Sequence, residues 1–197
     1  MTTTMGRSEF LSLGMRGGIA LVAGGTVLGA AVGPALGQAA SGDVAIAKLA
    51  ATAELLAVDV YGRAIRTGFF KGDVLAYMEA ARQNEQDHYD ALAKVLGGKA
   101  PKGVKFRYPA GTFKDAASIA KTGVALETAF VGAYLGAVEA LKDNDLKGVA
   151  ALVGANEAQH LTTFKRLAAG NTLVPNPSFP KSLTAKQATA AVTPFLA

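Results

Sequence analysis

The chain has 197 residues, half of them apolar, and a formal charge of +5, which suits one sizeable core with appendages and not a multidomain assembly. It contains no cysteine and no tryptophan, which excludes disulfides, thiolate-held zinc, iron–sulfur clusters and a cysteine nucleophile, so any metal must be held by nitrogen and oxygen donors. The basic residues are spread out, the densest run being Lys99, Lys102, Lys105 and Arg107 in a loop, and no nucleic-acid partner is expected.

Residues 1–40 differ in character from the rest. Arg7 and Arg16 precede an uncharged run rich in glycine, alanine, valine and leucine from Gly17 to Leu36, and the small residues Gly37, Ala39 and Ala40 follow. This is the pattern of an export signal, cleaved near Ala39 or Ala40. At about 20 residues the run is also long enough to remain as a membrane anchor over 17–36. A buried first helix fits poorly, because the glycines of this run would each weaken a helix in water. The segment Arg7-Ser8-Glu9-Phe10-Leu11 resembles a twin-arginine export motif without its second arginine, which leaves the general secretory route open. The expected location is periplasmic or extracellular.

From Val44 to Ala169 the chain offers two proline-free stretches, Val44–Ala100 and Ala110–Ala169, separated by Pro101 and Pro109. Each is interrupted near its middle, at Arg66–Asp73 and at Lys142–Asp145, by residues suited to a helix end and a new N-cap. Four helices of roughly 22 to 28 residues result. The two short connections make antiparallel hairpins, and the glycine- and proline-bearing segment Gly97–Lys114 is long enough to run the length of a bundle. The expected fold is therefore all-α: a bundle over 41–170 of two helical hairpins joined by one long crossover. Residues 171–197 form a tail with Pro175, Pro177 and Pro180, and Thr184-x-x-Gln187 is a capping box for a short helix ending before Pro194. The tail is expected on the outside of the bundle, covering an apolar surface, closing one end or mediating assembly.

The halves repeat. Glu54 and Tyr61 match Glu127 and Tyr134 at an offset of 73, and Asn84-Glu85-x-x-His88 matches Asn156-Glu157-x-x-His160 at an offset of 72. Such a repeat of hairpins implies a pseudo-twofold axis through the middle of the bundle. Read at spacings of three and four, the apolar stripe of each helix passes through a carboxylate. The first stripe is Ala47, Ala51, Glu54, Val58, Tyr61, Ile65, and the second is Val74, Met78, Ala81, Glu85, His88, Leu92. The third is Ala120, Val124, Glu127, Val131, Tyr134, Val138, Leu141, and the fourth is Leu146, Ala150, Val153, Glu157, His160, Phe164, Leu167.

Four buried carboxylates without compensation would be prohibitive, and no lysine or arginine lies on these stripes at their level. Two divalent cations would balance them. The Glu-x-x-His spacing puts both side chains on one helix face about one turn apart, so a glutamate can bridge two ions while its histidine binds one. A glutamate three residues before both histidines by chance has a probability of roughly 0.001. The other reading of the same residues is a metal-free site of hydrogen-bonded core imidazoles. Tyr61 and Tyr134 are either hydrogen-bond partners or redox-active phenols beside the site, or core tyrosines. Asn84 and Asn156, off the stripe, are expected to make structural hydrogen bonds.

Glu54, Glu85-x-x-His88, Glu127 and Glu157-x-x-His160 resemble the ligand pattern of the ferritin-like superfamily of di-iron and di-manganese carboxylate proteins, over about 125 residues. With the export leader and proline-rich tail, the chain is similar to exported ferritin-like proteins grouped with desiccation-related proteins. The resemblance implies two iron or manganese ions, with Glu54 and Glu127 as terminal ligands, Glu85 and Glu157 as bridging ligands, and His88 and His160 on opposite metals. It implies dioxygen or peroxide as reactant in oxidase, ferroxidase or peroxide-scavenging chemistry, and leaves a homo-oligomer open. A non-catalytic metal-binding or stress-protective bundle is the alternative.

Overall fold

The computed structural model describes residues 41–197; the export or anchor segment expected over 1–40 lies outside them. The first proline-free stretch forms α1 (Ser41–Arg66) and α2 (Gly72–Leu96), and the second forms α3 (Ala116–Ala140) and α4 (Asn144–Ala168). α1 packs chiefly on α2 and α3 on α4, which makes two helical hairpins. Among the described residues, β structure is limited to a bridge between Phe106 and Leu196.

Both short turns fall where the turn residues placed them. Between α1 and α2, Gly68 and Gly72 adopt positive φ angles of 72° and 53°. Phe70, just before α2, and Leu75, in its first turn, join one apolar cluster in the spacing of a hydrophobic staple. Between α3 and α4, Asp143 caps α4 by accepting from the N–H groups of Asp145 and Leu146 at 2.9 and 3.0 Å. The start of α3 follows the end of the crossover expected over Gly97–Lys114. The helix begins at Ala116, after Thr112 and Lys114 close turns onto the carbonyls of Pro109 and Gly111. Asp115 then takes the cap position, accepting from Ser118 N–H at 2.6 Å.

Asp43, buried in the first turn of α1, accepts from the backbone N–H groups of Lys142 and Asp143. This contact places the start of α1 beside the end of α3, so those helices run antiparallel and the crossover 97–115 must travel from this end to the other. Hydrogen bonds from Tyr89 to the Pro101 carbonyl (2.8 Å) and from Tyr108 to Asp59 (2.7 Å) hold it on the way.

The tail is built into the bundle. The capping box at Thr184 and Gln187 starts α5 (Ala185–Val192), which lies against α3 and α1. Ahead of it, the Leu183 N–H donates to the carbonyl of Gly132 at 2.8 Å. Gly136 permits this approach: a Cβ there would lie 1.8 Å from the Leu183 carbonyl oxygen. The last residues then tie to the crossover, with Arg107 N–H donating to the Phe195 carbonyl and Ala197 N–H to that of Lys105. α3 is thus covered on two faces, which accounts for its sparse charge. α1, covered likewise, buries Ala53, Leu56, Ala57, Val60 and Ala64 beyond the expected stripe, whereas Val58 and Ile65 of that stripe are half-buried.

Two apolar clusters bracket the middle of the bundle. The larger, around Leu56, Tyr61, Met78, Ile119, Phe130 and Phe164, fills the end where α1 meets α2. The smaller, of Ala47, Ala51, Leu92 and Leu96, fills the end at Asp43. The Glu-x-x-His residues lie between them.

Candidate metal centre

Each hairpin carries its polar residues inward on helical spacing, and the bundle brings the two sets face to face. Glu54, Glu85, Glu127 and Glu157 are each 2% exposed or less, His160 is 1% exposed and His88 6%. They form two overlapping groups, one of Glu54, Glu85, His88 and Glu157, the other of Glu85, Glu127, Glu157 and His160. Within each group, one ligating atom per residue can be chosen so that all lie within 4.8 Å of one another. Glu85 and Glu157 belong to both groups. Each group takes three residues from one hairpin and the fourth from the other, which is the pseudo-twofold relation expected from the repeat.

The histidine Nδ1 atoms point into the cluster. His88 Nδ1 lies 3.4, 3.3 and 3.2 Å from oxygens of Glu54, Glu85 and Glu157. His160 Nδ1 lies 2.8 Å from Glu85 and 3.4 Å from Glu157. Proximity is not pairing here. Oxygens of all four glutamates and His160 Nδ1 are buried without a well-directed hydrogen bond. Buried polar atoms in that number are costly unless a ligand satisfies them. Nitrogen and carboxylate oxygen donors that converge on common points, and not on each other, are a set that fits divalent metal ions.

The electrostatics agree. Burial, then the negative charge of Glu157, push Glu85 well above the usual carboxylate range. Burial, Glu157 and Glu85 do the same to Glu127. For Glu157 burial acts upward too, but the close approach of His160 and His88 outweighs it and holds the group at about 2. Burial would lower His88, yet its contacts with Glu157, Glu54 and Glu85 prevail and carry it to about 12. The cluster therefore attracts positive charge strongly enough to hold a proton on an imidazole that is nearly buried.

Tyr61 and Tyr134 reach the site, by a route not evident from their spacing. Each lies on the same helix as one of Glu54 and Glu127 but donates to the other: Tyr61 to Glu127 at 2.8 Å, and Tyr134 to Glu54. The exchange crosses the two hairpins in both directions. Burial and the adjacent carboxylates raise both phenols well above their ordinary range, so they remain hydrogen-bond donors.

Two further residues border the cluster. The Asn84 carboxamide nitrogen lies 3.4 Å from His160 Nε2, across from α2 to α4, so its hydrogen bond serves the site and not only the scaffold. The ring of Tyr77 stands edge-on to His160 at 6.3 Å. Tyr77 was not a candidate in the sequence, although its place seven residues before Asn84 put it on the same face of α2. A partner on the far ring nitrogen fixes the orientation and tautomer of a ligating histidine. An Asn84→Leu variant should therefore bind manganese roughly 10- to 100-fold more weakly with unchanged helicity, and titration calorimetry checks it. Unaltered affinity would remove Asn84 from the site.

A family model for the ferritin-like domain matches residues 42–170, the whole of the four-helix bundle, and the chain belongs to the ferritin-like domain family. No curated protein compared with the chain matches it. The fold and the site together define a ferritin-like bundle whose centre is a cluster of buried carboxylates and imidazoles compatible with metal ions.

Proposed function

We propose that the protein is an exported dinuclear metalloprotein that oxidises ferrous iron or destroys peroxide. The observation that carries the reading is the sharing of Glu85 and Glu157 between two buried four-residue groups. In this reading two iron or manganese ions would be held by the six residues, Glu85 and Glu157 serving both, Glu54 and His88 one ion, and Glu127 and His160 the other. The bound ions would supply the reversible change of oxidation state that the side chains lack.

The chain's own residues set the conditions. The apolar clusters on either side restrict water, and Tyr61 and Tyr134 hold the terminal carboxylates in place through their hydroxyls. Asn84 fixes one imidazole. Export is supported by the pattern of residues 1–40, with membrane association through 17–36 if that segment is retained.

Protein loaded with iron or manganese is expected to consume dioxygen or peroxide, and Glu85→Ala and His160→Ala are each expected to reduce turnover at least a hundredfold. Full activity in both variants would sink the reading. Tight metal binding without turnover would favour the non-catalytic, stress-protective bundle. The mass of the mature chain from its host tests export: a start near Ala39 to Ser41 is expected, and a chain retained whole in the cytoplasm refutes it.

A further inference from the structure

We propose that the hydroxyl of Tyr77 is the hydrogen-bond donor that holds a small anion, of the size of hydroperoxide, at the His160 end of the centre. The inference deepens the two-ion reading and rests on it. Among the described residues, the buried side-chain atoms without a directed partner belong to Glu54, Glu85, Glu127, Glu157, His160 and Tyr77. The first five are the proposed metal ligands. Tyr77 is the exception, with no ion to account for its hydroxyl, and an orphaned buried donor in a native fold calls for a partner of its own.

The surroundings of the hydroxyl narrow what that partner is. The ring of Tyr77 stands edge-on to that of His160, with centroids 6.3 Å apart. Burial raises the phenol above its ordinary range; Thr163 acts the other way, and the charges of Glu127, Glu85 and Glu157 act with burial. Those three carboxylates and His160 are the four members of one group, which places Tyr77 at that end of the centre. A phenol held in its protonated form gives an anionic acceptor a charge-assisted bond and is a poor ligand for a third cation. Because the hydroxyl is buried, the acceptor must be of only a few atoms.

No neighbour uses this donor. Tyr61 and Tyr134 spend their own hydroxyls on Glu127 and Glu54. Thr163, across on α4, gives its proton to the Gln159 carbonyl at 3.1 Å, and no directed hydrogen bond joins it to Tyr77. Nor is the position repeated in the other half of the chain. At the offset of 72 that relates Glu85 to Glu157, Tyr77 matches Val149, whose side chain can donate nothing. The pseudo-twofold centre thus carries a spare donor at one end only.

Two measurements test the assignment, one without metal and one with it. In the metal-free protein, Tyr77→Phe removes an unsatisfied buried hydroxyl, so its urea midpoint should equal or exceed that of the wild type. A lowered midpoint would show that the hydroxyl is already bonded within the fold and would overturn the proposal. In protein loaded with ferric iron, azide is the probe, and its binding is read from the azide-to-iron absorption band. Tyr77→Phe should take up as much iron as the wild type and bind azide about tenfold more weakly or worse. Equal azide affinity would overturn the assignment of Tyr77 and leave the two-ion reading standing, whereas a wild-type protein that takes up no iron would remove both. Tyr108→Phe, which loses a hydrogen bond to Asp59 in the crossover, is the control: its midpoint should fall and its azide affinity should not. An equal loss of azide affinity in this control would count against Tyr77.

Discussion

On the two-ion reading proposed above, a Glu157→Ala protein is expected to lose both ions, whereas Glu54→Ala is expected to lose one. The difference follows from membership. Glu157 contributes to both groups, with one oxygen 3.2 Å from His88 Nδ1 and the other 3.4 Å from His160 Nδ1. Its removal takes a ligand from each site and the only contribution of α4 to the first. Glu54 contributes to the group around His88 alone. Losing one of four ligands in a buried site, with cavity and unpaired donors left behind, is expected to weaken binding by about 3 kcal/mol or more, over a hundredfold. Elemental analysis after dialysis against manganese reads the result directly. Equal stoichiometry in the two variants would contradict the assignment of Glu157 as a shared ligand.

The second large effect is expected far from any ligand. In Gly136→Leu the new Cβ would stand 1.8 Å from the Leu183 carbonyl oxygen, a backbone atom that cannot swing aside as a side-chain tip can. Either α3 or the tail must move, and the tail is the smaller body. Its displacement would break the Leu183 to Gly132 hydrogen bond and expose the buried side chains of Ala188 and Val192. A loss of about 3 kcal/mol or more is expected, seen as a fall in the urea midpoint, with faster proteolytic cutting between Gly170 and Thr184. A variant cut at the wild-type rate would show that the tail does not depend on this contact.

The bundle was legible in the sequence because its determinants are local. Proline-free stretches, the Gly68 and Asp143 turns and the lengths of the loops fix four helices and their pairing without knowledge of any tertiary contact. The six Glu and His positions were legible for a related reason: a carboxylate on an apolar stripe conflicts with burial unless something compensates it, and the conflict recurs in all four helices. What escaped depends on how helices face one another. Tyr61 and Tyr134 read as neighbours of Glu54 and Glu127 on their own helices, but the antiparallel placement of α1 and α3 sends each hydroxyl to the opposite glutamate. Asn84, adjacent to Glu85 and off the stripe, reaches His160 only because α4 lies on that side of α2. The use of Gly132 and Gly136, letting a backbone pass close by, is visible only with the tail in place.

The exchange of partners between hairpins bears on how the molecule acquires its site. The hydroxyl-to-carboxylate bonds span 66 and 80 residues, and each four-residue group needs a glutamate from the other half of the chain. Neither hairpin, newly made and still alone, holds a complete set. Closing the crossover loop is entropically costly and precedes those contacts, so the binding site comes into being at the moment of docking and not before. On the proposed metal reading, ion capture during refolding would mark the time at which the two halves meet, and an ion present at that moment would act as the pin that keeps them together.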